Sequence, residues 1–279
     1  MPEGFEGWDD YAPFYDWENA RTLGRRDVPF WRNLAVHAGG RVLELGCGTG
    51  RISLPIAHAG VPIVGIDRSG PMLTRARARV KRAKLERRLH LIRGDIRFLP
   101  FREHVAAPRR SRPKGRVKAA PASTWSPFSM VMAPYGVLQS LLRERDLTAT
   151  LESVHDVLEP NGRFGLELVA DLPSWEEYRK RVSLSGWRHK AGGAHVTLVE
   201  TVRQDPQRKL TIFDQEFTER RGRQRRTRTF SLTFRTLTVP QMVRRLEKAG
   251  FVIDALLGDY RGAAWDPRAE VWVILARRV

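Results

Sequence analysis

The sequence predicts an α/β fold in which a doubly wound, mostly parallel seven-stranded sheet carries an inserted small antiparallel β-sheet. From residue 41 onward, short apolar runs alternate with amphipathic stretches, which is typical of parallel strands covered by helices. The first apolar run ends in a glycine-rich turn. Residues 194–237 instead alternate apolar and polar side chains with a period of two, as half-buried antiparallel strands do.

The elements of this fold follow in order along the chain. The predicted core strands cover residues 41–45, 61–67, 89–95, 128–133 and 163–169, with a closing pair at 251–257 and 270–276. The predicted helices cover residues 69–84, 136–142, 146–158 and 238–248. Ser69 is suited to cap the first of these helices, and residues 159–162 form a strong turn signal before the fifth strand.

The predicted elements divide the chain into five segments. Residues 1–40 form an aromatic-rich N-terminal helical lead-in or lid, and residues 41–170 form the ligand-binding α/β core. A basic, proline-rich stretch at 106–123 is predicted to be a flexible surface insertion. Residues 171–237 form the inserted antiparallel sheet, a substrate lid or dimer surface, and residues 238–279 add the closing helix and strand pair.

Composition limits the class of protein. The chain has 279 residues, 42% of them hydrophobic and 29% charged, which is enough for a sizeable core. No run approaches the roughly 20 apolar residues that cross a bilayer, and the start of the chain lacks a signal-peptide pattern, so we expect a cytoplasmic protein with no membrane segment. Cys47 is the single cysteine and the 7 histidines have no metal-ligand spacing, so we expect no metal site.

The motif that carries chemistry is the glycine-rich run at 44–50, followed by Asp67. Glycines between a strand and a helix let a ligand approach the backbone closely, and an acid that ends the next strand is placed to accept hydrogen bonds from ribose hydroxyls. Arg51 stands where a dinucleotide fingerprint has its last glycine. Glu44 disfavours a pyrophosphate but suits an ammonium or sulfonium group. These features argue against NAD and for S-adenosylmethionine.

The run Glu-Leu-Gly-Cys-Gly-Thr-Gly resembles motif I of class I S-adenosylmethionine-dependent methyltransferases. The resemblance continues in the family's order through the blocks at 65–73, 93–96, 128–136 and 158–163, and then through the closing helix and strand pair. It implies a Rossmann-like fold and S-adenosyl-L-methionine as the cofactor. It also implies that positioning of the reactive methyl group supplies most of the rate acceleration.

The candidate cofactor-binding residues combine these motifs with the N-terminal tyrosines. They are Tyr11, Tyr15, Glu44, Gly46, Cys47, Gly48, Gly50, Asp67, Arg68, Met72, Asp95, Ile96 and Ala133. By the resemblance, Asp95 lies near the adenine amino group, although it is also suited to cap the residues that follow. Met72 and Ile96 either flank adenine or belong to the core. Cys47 is a small buried filler and not a nucleophile.

The candidate acceptor-binding or catalytic residues are Tyr135, Gln139 and His195. Tyr135 and Gln139 follow the fourth strand, where the family places acceptor groups, but they also suit the core of a helix. His195 opens the inserted sheet. In similar small-molecule methyltransferases an N-terminal tyrosine helix closes over the cofactor, so Tyr11 or Tyr15 either contacts it or packs beneath it.

We therefore expect methyl transfer to a nitrogen or oxygen of a small-molecule acceptor by a monomer or homodimer. The formal charge of +18 leaves a nucleic-acid acceptor open, because basic surface binds nucleic acid. The charge is concentrated at 75–88, 106–123 and 220–228, which are either solvated surface or contacts for an anionic partner such as RNA or DNA. The motifs are also compatible with a methyltransferase acting on protein and with a non-catalytic S-adenosylmethionine-binding protein. No Asn-Pro-Pro-Tyr motif, which base-methylating enzymes often carry, follows the fourth strand.

Overall fold

The computed structural model contains two separate β-sheets. It describes residues 4–22, 26–101, 127–170, 172–188 and 193–279. The predicted insertion at 106–123 lies outside these residues. The helices and strands in chain order are α1 (Trp8–Asn19), α2 (Val28–His37), β1 (Val42–Leu45), α3 (Ser53–His58), β2 (Ile63–Asp67), α4 (Gly70–Ala83), β3 (Leu89–Arg93), β4 (Phe128–Ala133), α5 (Glu144–Val157), β5 (Leu158–Val169), β6 (Tyr178–Trp187), β7 (His195–Asp205), β8 (Leu210–Arg221), β9 (Gln224–Arg235), α6 (Val239–Lys248), β10 (Phe251–Leu257) and β11 (Val271–Arg278).

The larger sheet has seven strands in the order β10-β11-β5-β4-β1-β2-β3. The strands from β5 to β3 run parallel, whereas β11 is antiparallel to both β5 and β10. This arrangement confirms the predicted fold class. The chain order reverses at β1, which has β2 on one side and β4 on the other. In such sheets ligands bind beyond the carboxyl ends of the strands at this switch point.

The central strands are covered on both faces, as their unbroken apolar sequences require. Every residue of β1 and β4 is buried. One face packs against helices α5 and α6 through residues such as Leu151 and Met242. The other face packs against α2 and α3 through Trp31 and Ile56. The strands are therefore held rigidly, and the loops at their carboxyl ends have a fixed base.

The helix starts agree with the sequence, but two other elements differ from it. Ser69 caps α4 by accepting a hydrogen bond from the Met72 amide at 3.3 Å, and Thr238 caps α6. The predicted helix at 136–142 is only a 3-10 turn over Val137–Ser140, because Gly136 is left-handed and Leu141 is extended. The predicted turn at 159–162 is absorbed into β5 as an irregularity in its pairing with β4.

The smaller sheet is antiparallel, in the order β6-β7-β8-β9. Helix α1 packs on its inner face, where Phe14 stacks on Phe217 with ring centroids 4.1 Å apart. Met72 of α4 belongs to the same buried cluster, so α1 lies between the smaller sheet and the α/β core. Within the described ranges, none of the helices is long and apolar enough to cross a membrane.

Candidate active site

A cavity of about 500 Å³ lies beyond the carboxyl ends of β1, β2 and β4. Its size suits a small organic ligand. The predicted residues that line it are Tyr15, Glu44, Gly46, Cys47, Gly48, Asp67, Arg68, Met72, Asp95, Ile96 and Tyr135. The switch point of the sheet thus brings together most of the residues that the sequence motifs single out.

The glycine turn after β1 forms the floor of this cavity. Gly46 and Gly48 have φ values of 61° and 54°, a left-handed conformation that favours glycine. A Cβ atom on Gly46 would lie 2.1 Å from a methyl carbon of Val137. Asp67 stabilises the turn by linking it to the residues before α4. Its carboxylate accepts hydrogen bonds from the amides of Gly48 and Ser69, both at 2.7 Å.

Glu44 is buried directly beside the turn and lines the cavity. Its carboxylate accepts a hydrogen bond from the Ser53 hydroxyl. Burial raises the pKa of Glu44 to about 8, against the opposing effects of Ser53 and of the Arg51 charge. Burial also raises the pKa of Asp67, against its backbone hydrogen bonds. Neither acid has a described cation within ion-pair distance, so a positively charged ligand would be favoured here.

Asp95 differs from these two acids because its charge is already paired. Arg97 donates to it at 2.7 Å and Arg68 at 3.2 Å. Partial burial opposes ionisation of Asp95, but the hydrogen bonds and charge of Arg97 lower its pKa. The Arg97 amide also donates to the carboxylate at 3.0 Å, which is a turn-capping contact. Asp95 lines the cavity and caps its own loop, so the structure is compatible with both roles considered for it.

Arg51 is the principal site residue that the sequence reasoning missed. It lines the cavity and forms a bidentate ion pair with the fully buried Asp27. Its two terminal guanidinium nitrogens donate to the two carboxylate oxygens at 2.6 and 2.8 Å. Its guanidinium carbon lies 5.8 Å from the centroid of the Tyr135 ring. The one signal available in the sequence was its place directly after the last glycine of the turn, which served only to argue against NAD.

Tyr135 is held in position by a hydrogen bond to Glu167 of β5. It has a φ of 52°, unusual for a residue with a side chain, and its amide donates to the Glu167 carboxylate at 3.3 Å. Tyr260 donates to the other oxygen of Glu167 at 2.8 Å. Burial raises the pKa of Glu167 to about 7, against the hydrogen bond from Tyr260. Glu167 is therefore a second site residue outside the sequence motifs, and it acts by positioning the loop that carries Tyr135.

Helix α1 and the segment before it form the opposite wall. Trp8, Asp9 and Tyr15 line the cavity, whereas Tyr11 is buried outside it, against the smaller sheet. The ring of Phe5 lies 3.5 Å below the guanidinium carbon of Arg68. The N-terminal segment thus closes one side of the cavity, and of the two predicted tyrosines only Tyr15 reaches it.

Four other predicted residues do not line the cavity. Gly50 lies against Leu54 of α3 and Ala76 of α4, and Ala133 is buried at the end of β4. Gln139 is fully buried, and its side-chain oxygen accepts a hydrogen bond from the Val169 amide at 2.7 Å. This hydrogen bond links the 3-10 turn to β5. His195 instead packs against the exposed Trp187 at one end of the smaller sheet.

Comparison with known proteins finds similarity in the same segment. Residues 42–107 match the family model of a methyltransferase domain. The chain is 26% identical over 183 residues to the demethylmenaquinone methyltransferase of Lactobacillus johnsonii, a match that covers 61% of this chain and 64% of that protein. The match thus spans less than two thirds of that curated relative.

Two solved structures resemble the whole chain. The CcbJ methyltransferase from Streptomyces caelestis has a TM-score of 0.73 and 20% identity, with 98% of each chain covered. The chain has the class I methyltransferase fold. CalS10 with bound S-adenosylmethionine, an amino pentose methyltransferase from Micromonospora echinaspora, has a TM-score of 0.62 and 17% identity, with 95% of this chain and 97% of that chain covered. Within this methyltransferase fold, the family match covers the glycine turn, Asp67 and Asp95, which all line the cavity.

Proposed function

We propose that this protein is an S-adenosylmethionine-dependent methyltransferase that acts on a nitrogen or oxygen of a small-molecule acceptor. The observation that carries the proposal is one cavity that combines the glycine turn with Glu44, Asp67 and Asp95, in a segment that matches a methyltransferase domain. The proposal includes a cytoplasmic location and a monomeric or homodimeric state.

The residues of the cavity fit S-adenosylmethionine. Asp67 has only backbone amides as partners, so it can accept hydrogen bonds from the ribose hydroxyls. Arg51 is a cation suited to the carboxylate of the methionine part, and Glu44 is an acid suited to its ammonium group. Met72 and Ile96 offer apolar surface to adenine. When bound, the cofactor supplies a methyl group that is activated by a positively charged sulfur atom.

The acceptor side of the cavity is aromatic. Trp8, Tyr15, Tyr135 and Phe234 line it, with Phe234 contributed by the smaller sheet. Such walls exclude water and hold a small organic molecule in a fixed orientation. The chain then acts mainly by bringing the acceptor atom to the methyl group, which is where proximity supplies most of the acceleration. The likeness to a solved amino pentose methyltransferase supports a small-molecule acceptor.

A second candidate, methylation of nucleic acid, is favoured by one observation. Arg221, Arg223, Arg225, Arg226 and Arg228 cluster at the hairpin of β8 and β9, and none of them forms an ion pair with another described residue. A cluster of this kind binds phosphates in a salt-dependent way. It lies on the smaller sheet, however, and none of its arginines lines the cavity.

Methyl transfer from labelled cofactor separates these candidates. The protein is incubated with tritiated-methyl S-adenosylmethionine and, in parallel, with a metabolite extract, RNA, DNA and total protein. Label in the metabolite fraction supports the proposal, and label in nucleic acid or protein favours a macromolecular acceptor. Tight binding of S-adenosylmethionine with no label in any fraction would favour a non-catalytic binding protein.

A further inference from the structure

A polar bridge joins the glycine turn to two helices. The Thr49 hydroxyl, in the turn after β1, donates to one carboxylate oxygen of Asp16 in α1 at 2.7 Å. Arg79 of α4 donates to the Thr49 hydroxyl at 3.1 Å and to the Thr49 carbonyl at 3.2 Å. Arg79 also forms an ion pair with the other carboxylate oxygen of Asp16 at 3.1 Å. We refer to Asp16, Thr49 and Arg79 as the Asp16 bridge.

The Asp16 bridge lies behind the glycine turn and outside the cavity. Thr49 is fully buried, and none of the three residues lines the cavity, whereas Gly46 and Gly48 do. The Thr49 hydroxyl is therefore directed at α1, while the neighbouring glycines face the cavity. Any effect of the bridge on a bound ligand must pass through the residues beside it.

Tyr15 is the residue through which the Asp16 bridge reaches the cavity. It precedes Asp16 in α1 and lines the cavity. The ring carbon that bears its hydroxyl group lies 4.0 Å from the position that a Cβ atom on Gly48 would take. The Gly48 amide in turn donates to Asp67 at 2.7 Å. The bond between Thr49 and Asp16 thus joins the residues next to Gly48 and Tyr15, and it holds the Tyr15 ring against the glycine turn.

The hydrogen bond from Thr49 is the stronger part of the Asp16 bridge. The side chains of Arg79 and Asp16 are 37% and 30% exposed, so solvent screens their ion pair. Thr49 is buried, and a hydrogen bond to a charged acceptor contributes more than one between neutral groups. Elsewhere α1 packs on the smaller sheet through apolar residues such as Phe14. The Thr49 hydroxyl is therefore the group whose loss should loosen α1 from the turn.

We propose that Asp16 is a positioning residue of the cofactor site. By accepting the hydrogen bond from Thr49, it holds Tyr15 against the glycine turn, and the Tyr15 ring becomes part of the wall that binds S-adenosylmethionine. The affinity for the cofactor then depends on where α1 is placed. This inference rests on the proposed function, because it takes S-adenosylmethionine as the ligand of the turn.

The test measures the Kd of S-adenosylhomocysteine, the demethylated form of the cofactor, by titration calorimetry on the full-length protein. Thr49→Val removes the hydroxyl at nearly constant volume and should raise the Kd about tenfold, as expected for losing a hydrogen bond to a charged group. Asp16→Ala removes the acceptor and should raise the Kd by a similar factor. Thr49→Ser keeps the hydroxyl and should bind as tightly as the wild type. Asp10→Ala removes an exposed acid from the same helix and should also leave the Kd unchanged.

A double-mutant cycle with Tyr15→Ala distinguishes positioning from a general structural role. If the Asp16 bridge acts through the Tyr15 ring, Thr49→Val should have little further effect on the Kd in the Tyr15→Ala background. An equal effect of Thr49→Val in both backgrounds would show that the bridge does not act through Tyr15, and it would refute the inference.

The outcomes separate this inference from the function on which it rests. Urea unfolding establishes that each variant is folded, and the partly exposed position of Asp16→Ala provides the test if Thr49→Val does not fold. If the wild type binds S-adenosylhomocysteine and both of these variants bind it equally well, the positioning role is refuted while the proposed function stands. The same holds if Thr49→Ser binds as weakly as Thr49→Val. If the wild type does not bind S-adenosylhomocysteine, the proposed function fails and the inference fails with it.

Discussion

Glu44 gives a direct test of how the cavity binds a positively charged ligand. Burial raises its pKa to about 8 in the free protein, so the folded protein holds this proton at neutral pH. An ammonium or sulfonium group bound nearby favours the carboxylate and lowers that pKa. Binding of S-adenosylmethionine should therefore release a proton, and the affinity should fall as the pH falls below 8.

The size of the effect follows from the pKa of Glu44. Ionising a group of pKa about 8 costs roughly 2.7 kcal/mol at pH 6 and roughly 0.8 kcal/mol at pH 7.5. The difference of about 1.9 kcal/mol corresponds to a change in Kd of roughly 25-fold. The ligand's own α-amino group, with a pKa of about 7.7–8.0, loses part of its charge at pH 7.5 and reduces this to roughly 15-fold.

Titration calorimetry at pH 6 and pH 7.5 measures this change in Kd. Buffers of different ionisation enthalpy count the protons released on binding. Glu44→Gln cannot ionise, so its Kd should change much less between the two pH values. Asp156→Asn, an exposed position on α5, serves as the charge-matched control. An equal pH dependence in wild type and Glu44→Gln would mean that Glu44 does not face the charged end of the ligand.

Three further predictions test the geometry of the site and of the fold. Asp67→Ala should weaken S-adenosylmethionine binding by about 1.5–3 kcal/mol in calorimetry, and unchanged affinity in a folded variant would refute the ribose assignment. Gly46→Ala should destabilise the protein by about 1–3 kcal/mol in urea unfolding, because the new methyl group meets Val137 and φ is left-handed; a variant as stable as wild type would contradict the close approach. Glu144→Gln should cost about 1 kcal/mol at pH 7, since the Glu144 carboxylate that pairs with Arg245 and Arg235 is half exposed. That pairing lowers the pKa of Glu144 to about 2, so its stabilisation is present above pH 4.5 and should be lost as the pH falls towards 2; a constant difference between variant and wild type over this range would exclude it.

Sequence reasoning succeeded where the chemistry is local. A short apolar run that ends in glycines predicts both the strand β1 and the turn that follows it. An acid at the end of the next strand lies at the same edge of the sheet, because the two strands are parallel. This is why the positions of Glu44 and Asp67 in the cavity could be predicted. The partners of Arg51 and Tyr135 could not, because Asp27 and Glu167 lie 24 and 32 residues away in the chain.

The N-terminal tyrosines show a second limit of sequence reasoning. An amphipathic helix with one buried face reveals its orientation through its apolar stripe, but α1 is covered on two sides, by the smaller sheet and by α4. Tyr11 and Tyr15 are therefore equivalent in the sequence pattern, and only the packing of Tyr11 against Phe230, with ring centroids 5.8 Å apart, separates them. The same limit applies to Gln139, whose role depends on a hydrogen bond to a strand 30 residues away.

Some buried acids of this basic protein have no ion-pair partner among the described residues, and this bears on the ligand that it binds. In a chain with 49 basic and 31 acidic residues, cations are abundant, and an acid that needed one for stability would readily find it. Asp95 pairs with two arginines in this way. Glu44 and Asp67 do not, although both line the cavity. Burying acids without cations is costly unless the missing positive charge is supplied by what binds there. An arginine-rich protein that leaves Glu44 and Asp67 without a described arginine at ion-pair distance is suited to a cofactor that carries positive charge.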